Sequence, residues 1–262
     1  MLMRKYWQIF ATTIKEYFAY RLNFVLWRLR MFISLIVTFF LWVAVFQKNL
    51  SFAGYDKKNL LSYILYANLI FNFVLGTRTV DVAAEINDGS IINTILKPVS
   101  FFRFYLIKDL ADKLINIAFS LFEVFLVVYF FKVQLVLPKN PLIFLFFFGS
   151  GLFISFFISL SLSFIGFWTT EVWAPRFIFL MMVFFLSGAY FPLDALPKPV
   201  YQLLLLTPFP YLFFLPTKVL LGKIDQTIFF QAPMSLIWLV LSYTIAKQMW
   251  KQGNKSFSFW GR

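Results

Sequence analysis

The sequence predicts an all-α membrane protein with six transmembrane helices, an N-terminal interfacial helix and a re-entrant or external helical hairpin between helices five and six. Of its 262 residues, 61% are hydrophobic and only 13% are charged, which is not the composition of a soluble domain. The charged residues are unevenly placed and leave several uncharged runs near the ~20 residues that a crossing helix needs. We therefore predict one transmembrane domain over residues 1–262. The start lacks the pattern of a cleaved signal peptide, so we expect the mature chain to begin at Met1.

Residue types that are missing from the sequence exclude most catalytic chemistry. The sequence contains no cysteine and no histidine, which excludes disulfides, thiolate and imidazole catalysis, and His/Cys metal sites. The pair Gly222-Lys223 is followed by isoleucine, so it is not a Walker A phosphate loop. The net charge of +13 fits the excess of basic residues on the cytoplasmic side of membrane proteins better than nucleic-acid binding. We expect no cofactor in this chain and no nucleic-acid partner.

The first predicted helix covers residues 4–20 and lies on the membrane surface. One face of it is apolar and aromatic, and consists of Trp7, Phe10, Ile14, Tyr17 and Phe18. The first crossing follows, with residues 31–46 as its uncharged body. Arg28 and Arg30 stand at its entrance, where we expect them to reach lipid headgroups.

Five further apolar runs complete the predicted crossings. Their ranges are 60–76, 114–131, 142–170, 177–191 and 228–246. The run 142–170 is longer than one crossing requires, so we expect tilt or an extra turn. Small residues recur every four positions along it, at Gly151, Ser155, Ser159 and Ser163. This spacing lets membrane helices approach closely, and we interpret it as packing.

Residues 192–222, between the fifth and sixth crossings, hold six of the eleven prolines. Proline at this density prevents a continuous helix, and irregular backbone at membrane depth is tolerated only in protein or along a cavity. A basic-residue count supports the six-crossing topology, since 16 Lys and Arg lie on the cytoplasmic side and 8 on the other. Both termini, and the loop 77–113, are then cytoplasmic.

The polar stretch 81–100, which we call the island, separates two apolar runs. Asp81, Glu85 and Asp88 stand at i, i+4 and i+7, so on a helix they form one acidic stripe. Gly89 ends that helix, and Ser90 can cap a second short helix that Lys97-Pro98 stops. The island is either a docking surface for a soluble partner or only a solvated loop helix.

Polar side chains also lie within the predicted crossings. Asn68 and Asn72 share one face of the second crossing, and Asn116, Ser120 and Glu123 form a stripe on the third. Two further i,i+4 pairs precede this stripe, Lys108 with Asp112 and Asp109 with Lys113. An unpaired intramembrane carboxylate is costly, so Glu123 either lines a substrate path or subunit interface, or stays protonated and hydrogen-bonded.

The arrangement resembles the permease subunit of type 2 ABC transporters. The local matches are DGSIINTILKPVS in the island, followed later by FLSGAYFPLDALPKPV and TPFPYLFFLPTKVLLGK. The resemblance implies that residues 4–20 are the connecting helix, that the island is the coupling helix that docks on an ATPase, and that 192–222 is an external hairpin. It also implies separate cytoplasmic ATPase subunits that bind ATP and Mg²⁺, and a second permease subunit, identical or paralogous. The expected location is a prokaryotic cell (inner) membrane.

The resemblance assigns roles to three groups of residues. The ATPase-coupling group is Asp81, Val82, Glu85, Ile86, Asp88, Gly89 and Pro98. The translocation path holds Asn68, Asn72, Asn116, Ser120 and Glu123. The external hairpin or gate holds Gly188, Tyr190, Pro192, Pro197, Pro208 and Phe209.

The function that the resemblance implies is export of a hydrophobic or amphipathic substrate by alternating access. The alternative is an ion-coupled secondary transporter that uses Glu123, although the sequence shows no convincing internal repeat. An intramembrane enzyme is the least supported class, because the sequence offers little from which to build a catalytic set.

Overall fold

The computed structural model describes residues 2–48, 50–75, 78–224 and 227–256, and these are mostly helical. The helices are α1 (Leu2–Ala19), α2 (Arg21–Lys48), α3 (Lys57–Leu75), α4 (Thr79–Asn87), α5 (Ile91–Ile95), α6 (Phe101–Phe131), α7 (Pro141–Phe164), α8 (Trp173–Leu186), α9 (Lys198–Leu204), α10 (Phe214–Leu220) and α11 (Ile228–Ser256). Strands β1 (Ser51–Phe52) and β2 (Tyr55–Asp56) form a small antiparallel hairpin between α2 and α3.

Five of the described helices, α2, α3, α6, α7 and α11, are long and apolar enough to cross a membrane. The predicted fifth crossing, 177–191, corresponds to α8, which has only 14 residues and ends at Leu186. At 1.5 Å per residue, α8 is about 21 Å long, shorter than a bilayer core of about 30 Å. Gly188 takes a positive φ of 78° just beyond it, so the chain turns before residue 191. The six-crossing count stays a prediction.

α6 is longer than the predicted third crossing, since it begins at Phe101 rather than at residue 114. The predicted pair of Asp109 with Lys113 forms, with Oδ2 and Nζ 2.9 Å apart, and both side chains are buried. The other predicted pair is wrong. Lys108 lies 3.5 Å from Asp81 on α4, whereas Asp112 accepts a hydrogen bond from Asn116 on the next turn.

α7 lies at the centre of the helices and contacts α3, α4, α10 and α11. All four members of its small-residue stripe are buried, which confirms the packing interpretation. At Gly151 an added Cβ would lie 2.5 Å from the carbonyl oxygen of Tyr211, so a larger residue there would displace the backbone of the proline-rich segment. A 3-10 turn over Ile165–Phe167 supplies the expected extra turn.

The proline-rich segment is not one helix, as its prolines predict. It consists of α9, α10 and two 3-10 turns, Leu193–Ala195 and Phe209–Tyr211. Residues 211–215 are fully buried in the main apolar core, beside side chains of α3 and α7. A second apolar cluster joins the island helices α4 and α5 to α6, α7 and α11.

Candidate functional site

An ion pair between α2 and α6 lies within the apolar helices. The guanidinium of Arg28 donates from Nε to Oε1 of Glu123 at 2.9 Å, and its Nη2 is 2.5 Å from the second carboxylate oxygen. The two residues are only 4% and 7% exposed. A guanidinium that contacts both oxygens of a carboxylate makes a strong, geometrically defined interaction. Because both groups are buried, each charge depends on the other for its stability.

Two further polar residues complete the coordination of Arg28. Its Nη1 donates to Oδ1 of Asn72 on α3 at 3.1 Å, and its Nη2 donates to Oγ of Ser120 at 3.1 Å. The amide nitrogen of Asn72 donates back to the carbonyl oxygen of Asn68 at 2.9 Å. Four of the five predicted path residues therefore belong to one network, which connects α2, α3 and α6 around Arg28.

Asn116, the fifth predicted path residue, lies outside this network. Its Nδ2 donates to the backbone and carboxylate oxygens of Asp112, each at 3.0 Å. The predicted stripe is thus divided: Ser120 and Glu123 contact Arg28, whereas Asn116 contacts Asp112.

The expected positions of Glu123 and Arg28 require correction. Glu123 is not a lone acid, and Arg28 does not reach lipid headgroups, because the two side chains neutralise each other. Arg28 and Arg30 are two residues apart and so about 200° apart around a helix, which is why one is buried and the other exposed. The sequence did contain a signal for this pair, because a carboxylate buried at Glu123 requires a basic partner.

Residues from the predicted path and the predicted gate line one cavity. This cavity has a volume of about 210 Å³ between α2, α3 and the turn after α8. Its polar and aromatic lining includes Arg30, Ser34, Thr38, Asn68, Phe184 and Tyr190. The ring of Tyr190 stacks on that of Phe184, with centroids 5.2 Å apart.

As predicted, the island folds as two short helices with Gly89 between them. The φ of Gly89 is +79°. Val82 and Ile86 are buried in the second apolar cluster. Glu85 is turned inward too, where its carboxylate accepts hydrogen bonds from Thr94 Oγ1 at 3.0 Å and from the hydroxyl of Tyr105. The loop helix is therefore anchored to α6 rather than merely solvated.

The exposed acidic stripe expected on the island requires correction. Asp81 is half-buried and pairs with Lys108 at 3.5 Å and with Arg78 at 3.7 Å, because these bases lie on the same side of α4. With Glu85 also hydrogen-bonded internally, Asp88 is the exposed member of the three. The exposed surface instead surrounds the turn between the two helices, and we call it the island tip: Ala84, Asn87, Asp88, Asn93, Leu96, Lys97 and Pro98.

Asp88 organises the turn at the island tip. Its Oδ1 accepts a hydrogen bond from the backbone N–H of Ser90 at 2.8 Å. Hydrogen bonds from the side chain and backbone of Ser90 lower the pKa of the Asp88 carboxyl below its ordinary value of 3.8. Ser90 precedes α5 but does not cap it with its side chain, so that detail of the prediction is wrong.

The predicted gate residues are held by side chains of α2 and α3. The carbonyl of Gly188 accepts a hydrogen bond from the hydroxyl of Tyr63 at 2.6 Å, and the carbonyl of Tyr190 accepts one from Trp42 Nε1 at 3.0 Å. Pro192 is buried and Pro197 is exposed. Pro208 and Phe209 are half-buried, and the ring of Phe209 lies 6.2 Å from that of Phe179.

A polar cluster that the sequence did not predict joins the β-hairpin to the proline-rich segment. The hydroxyl of Tyr55 donates to Asp194 Oδ2 at 3.0 Å, and Lys218 Nζ lies 3.5 Å from the same oxygen. Lys223 Nζ lies 3.3 Å from the centre of the Tyr55 ring. Nothing in the local sequence links these residues, which are far apart in the chain.

Comparison with known proteins agrees with the architecture. No curated protein sequence matches the chain at a significant level. A family model described as "ABC-2 family transporter protein" matches residues 32–261, which is most of the chain. That range contains α3 to α11 and the greater part of α2, hence the Arg28 network apart from Arg28 itself. The chain therefore belongs to the ABC-2 transporter family, as a membrane permease.

Proposed function

We propose that the chain is the permease subunit of an ATP-driven exporter that moves a hydrophobic or amphipathic substrate by alternating access. A separate ATPase docks on the island, and a second permease subunit completes the path. Family membership supports transport with an ABC ATPase. The observation that carries the coupling role is the island itself, whose tip is exposed while its apolar side packs against α6, α7 and α11.

The first residue of α4, just before the island, is hydrogen-bonded to α7 and α8. The carbonyl of Thr79, the first residue of α4, accepts hydrogen bonds from Ser163 Oγ at 2.6 Å and from Arg176 Nη2 at 3.3 Å. The same Nη2 donates to the carbonyl of Ser159 at 3.2 Å. A push on the tip is thus transmitted to two helices at once, which is what rigid-body gating requires.

The chemistry of the island tip suits a protein partner. Leu96 is 77% exposed, and uncharged or charged polar residues such as Asn93 and Lys97 surround it. An apolar anchor within a polar rim is the usual composition of a protein interface. Substitutions that test docking are best placed at Asp88 and Leu96, since replacing Asp81 or Glu85 would also break internal bonds.

The ion-coupled alternative is not favoured. The carboxylate of Glu123 forms an ion pair with Arg28, and Arg28 also donates to Asn72 and Ser120. The family to which the chain belongs consists of ATP-driven transporters. We assign the network to holding α2, α3 and α6 together beside the path.

The experiment that tests the proposal is affinity purification of the chain from its own host in mild detergent, followed by an ATPase assay. We expect a stoichiometric ATPase subunit that is lost when Asp88→Lys and Leu96→Glu are combined. Leu137→Glu is the matched control, because Leu137 is as exposed as Leu96 but lies in the segment between α6 and α7, on the other predicted side of the membrane. A chain that purifies without ATPase activity, or equal loss with the control, would contradict the proposal.

A further inference from the structure

A cavity of about 680 Å³ opens between α1, the beginning of α2, α4 and α6. This volume lies within the range of small-molecule sites, about 300–1,000 Å³. The cavity extends from the island to Asn116, which is one helical turn before Ser120 of the Arg28 network. It therefore begins at the surface beside the island and ends at the side chain of Asn116.

The cavity is lined by five carboxylates and two basic side chains. Arg78 and Lys108, the two bases, are already engaged by the carboxylates of Glu16 and Asp81. The other three carboxylates are held by uncharged hydrogen-bond donors: Glu85 by Thr94 and Tyr105, Asp88 by Ser90, and Asp112 by Asn116. A concave surface with this imbalance concentrates cations.

Aromatic side chains of α1 and α2, with one residue between these helices, also line the cavity. Tyr17, Tyr20, Phe24 and Trp27 all line the cavity. The rings of Tyr17 and Phe24 meet edge to face with centroids 5.0 Å apart, and the guanidinium of Arg78 lies 5.3 Å from the centre of the Tyr17 ring. Tyr20 is 69% exposed, so its ring is open to a ligand. Aromatic faces attract organic cations and also bury their apolar surface.

Asn116 supplies an independent sign of a ligand at the inner end. Its side chain is only 2% exposed and lines the cavity. The amide nitrogen donates to Asp112, but Oδ1 has no hydrogen-bond partner in the part of the chain that the structure describes. Buried polar atoms are normally satisfied, so this oxygen is an acceptor available to a bound molecule.

We infer that this cavity is a binding site for an organic cation that carries apolar or aromatic surface. Its charged group is held by Asp112, its apolar part lies against Tyr20 and the neighbouring aromatic rings, and Asn116 accepts from it at the inner end. The inference deepens the proposed function, on which it rests, by naming cationic amphipaths as the substrate class and this cavity as their place of entry.

The test measures binding of tetraphenylphosphonium to the purified full chain in phosphatidylcholine nanodiscs by calorimetry, with empty nanodiscs subtracted. Tetraphenylborate, an anion of the same shape, is the matched ligand control. We expect saturable binding of the cation and at least about tenfold weaker binding of the anion, the factor that corresponds to loss of one favourable charge interaction. Asp112→Asn and Tyr20→Ala should each weaken cation binding by about fivefold to tenfold.

Glu171→Gln is the matched control variant, because it removes an exposed carboxylate that does not line the cavity, and it should leave the affinity unchanged. Asp112→Asn keeps an oxygen that can accept from Asn116, and Tyr20 is exposed, so both variants are expected to fold, which gel filtration checks. Equal binding of cation and anion, or unchanged affinity in both cavity variants, would overturn the inference even where an ATPase subunit co-purifies. Charge-selective, variant-sensitive binding without any ATPase partner would support this site and contradict the proposed function instead.

Discussion

Arg28 on α2 and Glu123 on α6 form a buried ion pair whose closest atoms are 2.5 Å apart, although 95 positions separate them in the sequence. Asn72 and Ser120 accept two further hydrogen bonds from the guanidinium. Four polar side chains that would each be costly among apolar helices thereby share one network of hydrogen bonds and an ion pair. The pair fixes the relative positions of three membrane helices beside the candidate path.

The first prediction concerns this pair. Arg28→Met leaves the carboxylate of Glu123 buried without a counter-charge, and we expect it to lower the free energy of unfolding by about 3–5 kcal/mol. The double variant Arg28→Met/Glu123→Leu removes both charges and should recover most of that loss. Thermal or denaturant unfolding in detergent, followed by tryptophan fluorescence, measures the difference.

Arg30→Met is the matched control for this prediction. Arg30 is exposed on the opposite side of α2, so its replacement should change stability little. A double variant that is no more stable than Arg28→Met alone would show that the ion pair is not what holds these helices.

The network shows which part of the site a sequence can predict. Helical spacing was sufficient to place Asn68 with Asn72, and Ser120 with Glu123, on common faces. The burial of Arg28 was not predicted, because an arginine at the entrance of an apolar run can either contact lipid headgroups or pair with a buried acid. The choice between them depends on how α2 is rotated against α6, which is a property of tertiary packing.

The island illustrates a similar division. The two short helices with Gly89 between them were predicted from local residue preferences, and the positive φ of Gly89 is one that glycine adopts readily. The helical spacing predicted one acidic stripe, which was interpreted as a docking surface or a solvated face, yet Asp81 and Glu85 face Lys108 and Tyr105 on α6. Periodicity identifies residues that share a face, but only the neighbouring helix decides whether that face meets solvent.

Long-range contacts account for the remaining differences. The β-hairpin uses a turn with positive φ at Ala53 and Gly54, and its Tyr55 contacts Asp194 far along the chain. The short length of α8 results from the turn at Gly188, which Tyr63 on α3 holds by a hydrogen bond. Neither contact has a signal within its own segment of sequence.

The second prediction is a pH dependence of the island tip. Because hydrogen bonds from Ser90 lower the pKa of the Asp88 carboxyl in the folded chain, the ionised form is favoured by folding. Its contribution to stability is therefore complete above the ordinary pKa of 3.8 and is lost as the pH falls through the lower folded value. We expect wild type to exceed Asp88→Asn in stability by a small amount at about pH 6, with the difference shrinking only below about pH 4.

Unfolding midpoints of both proteins between about pH 6 and about pH 3 measure this effect. Ser90→Ala removes the hydroxyl donor but keeps the backbone N–H, so it should reduce the difference without abolishing it. A difference that grows as the pH falls would have the wrong sign and would exclude this role for Asp88.

The third prediction uses two glycines of α7 that differ only in their surroundings. At Gly151 an added Cβ would lie 2.5 Å from the carbonyl oxygen of Tyr211, whereas at Gly149 it would meet nothing within 4 Å. Because Tyr211 O belongs to the backbone of a buried segment, it cannot move aside as a flexible side chain would. We expect Gly151→Ala to destabilise the fold by about 1–3 kcal/mol, the usual cost of overpacking.

Gly149→Ala is its matched partner, since it makes the same chemical change on the same helix. It should be neutral or stabilising by up to about 1 kcal/mol, because alanine favours helix over glycine. Thermal unfolding of the two variants side by side isolates the contact with the proline-rich segment from the helix preference that both share. If Gly151→Ala were as stable as Gly149→Ala, α7 and the proline-rich segment would have to lie further apart, and the small-residue stripe would lose its packing role at that end.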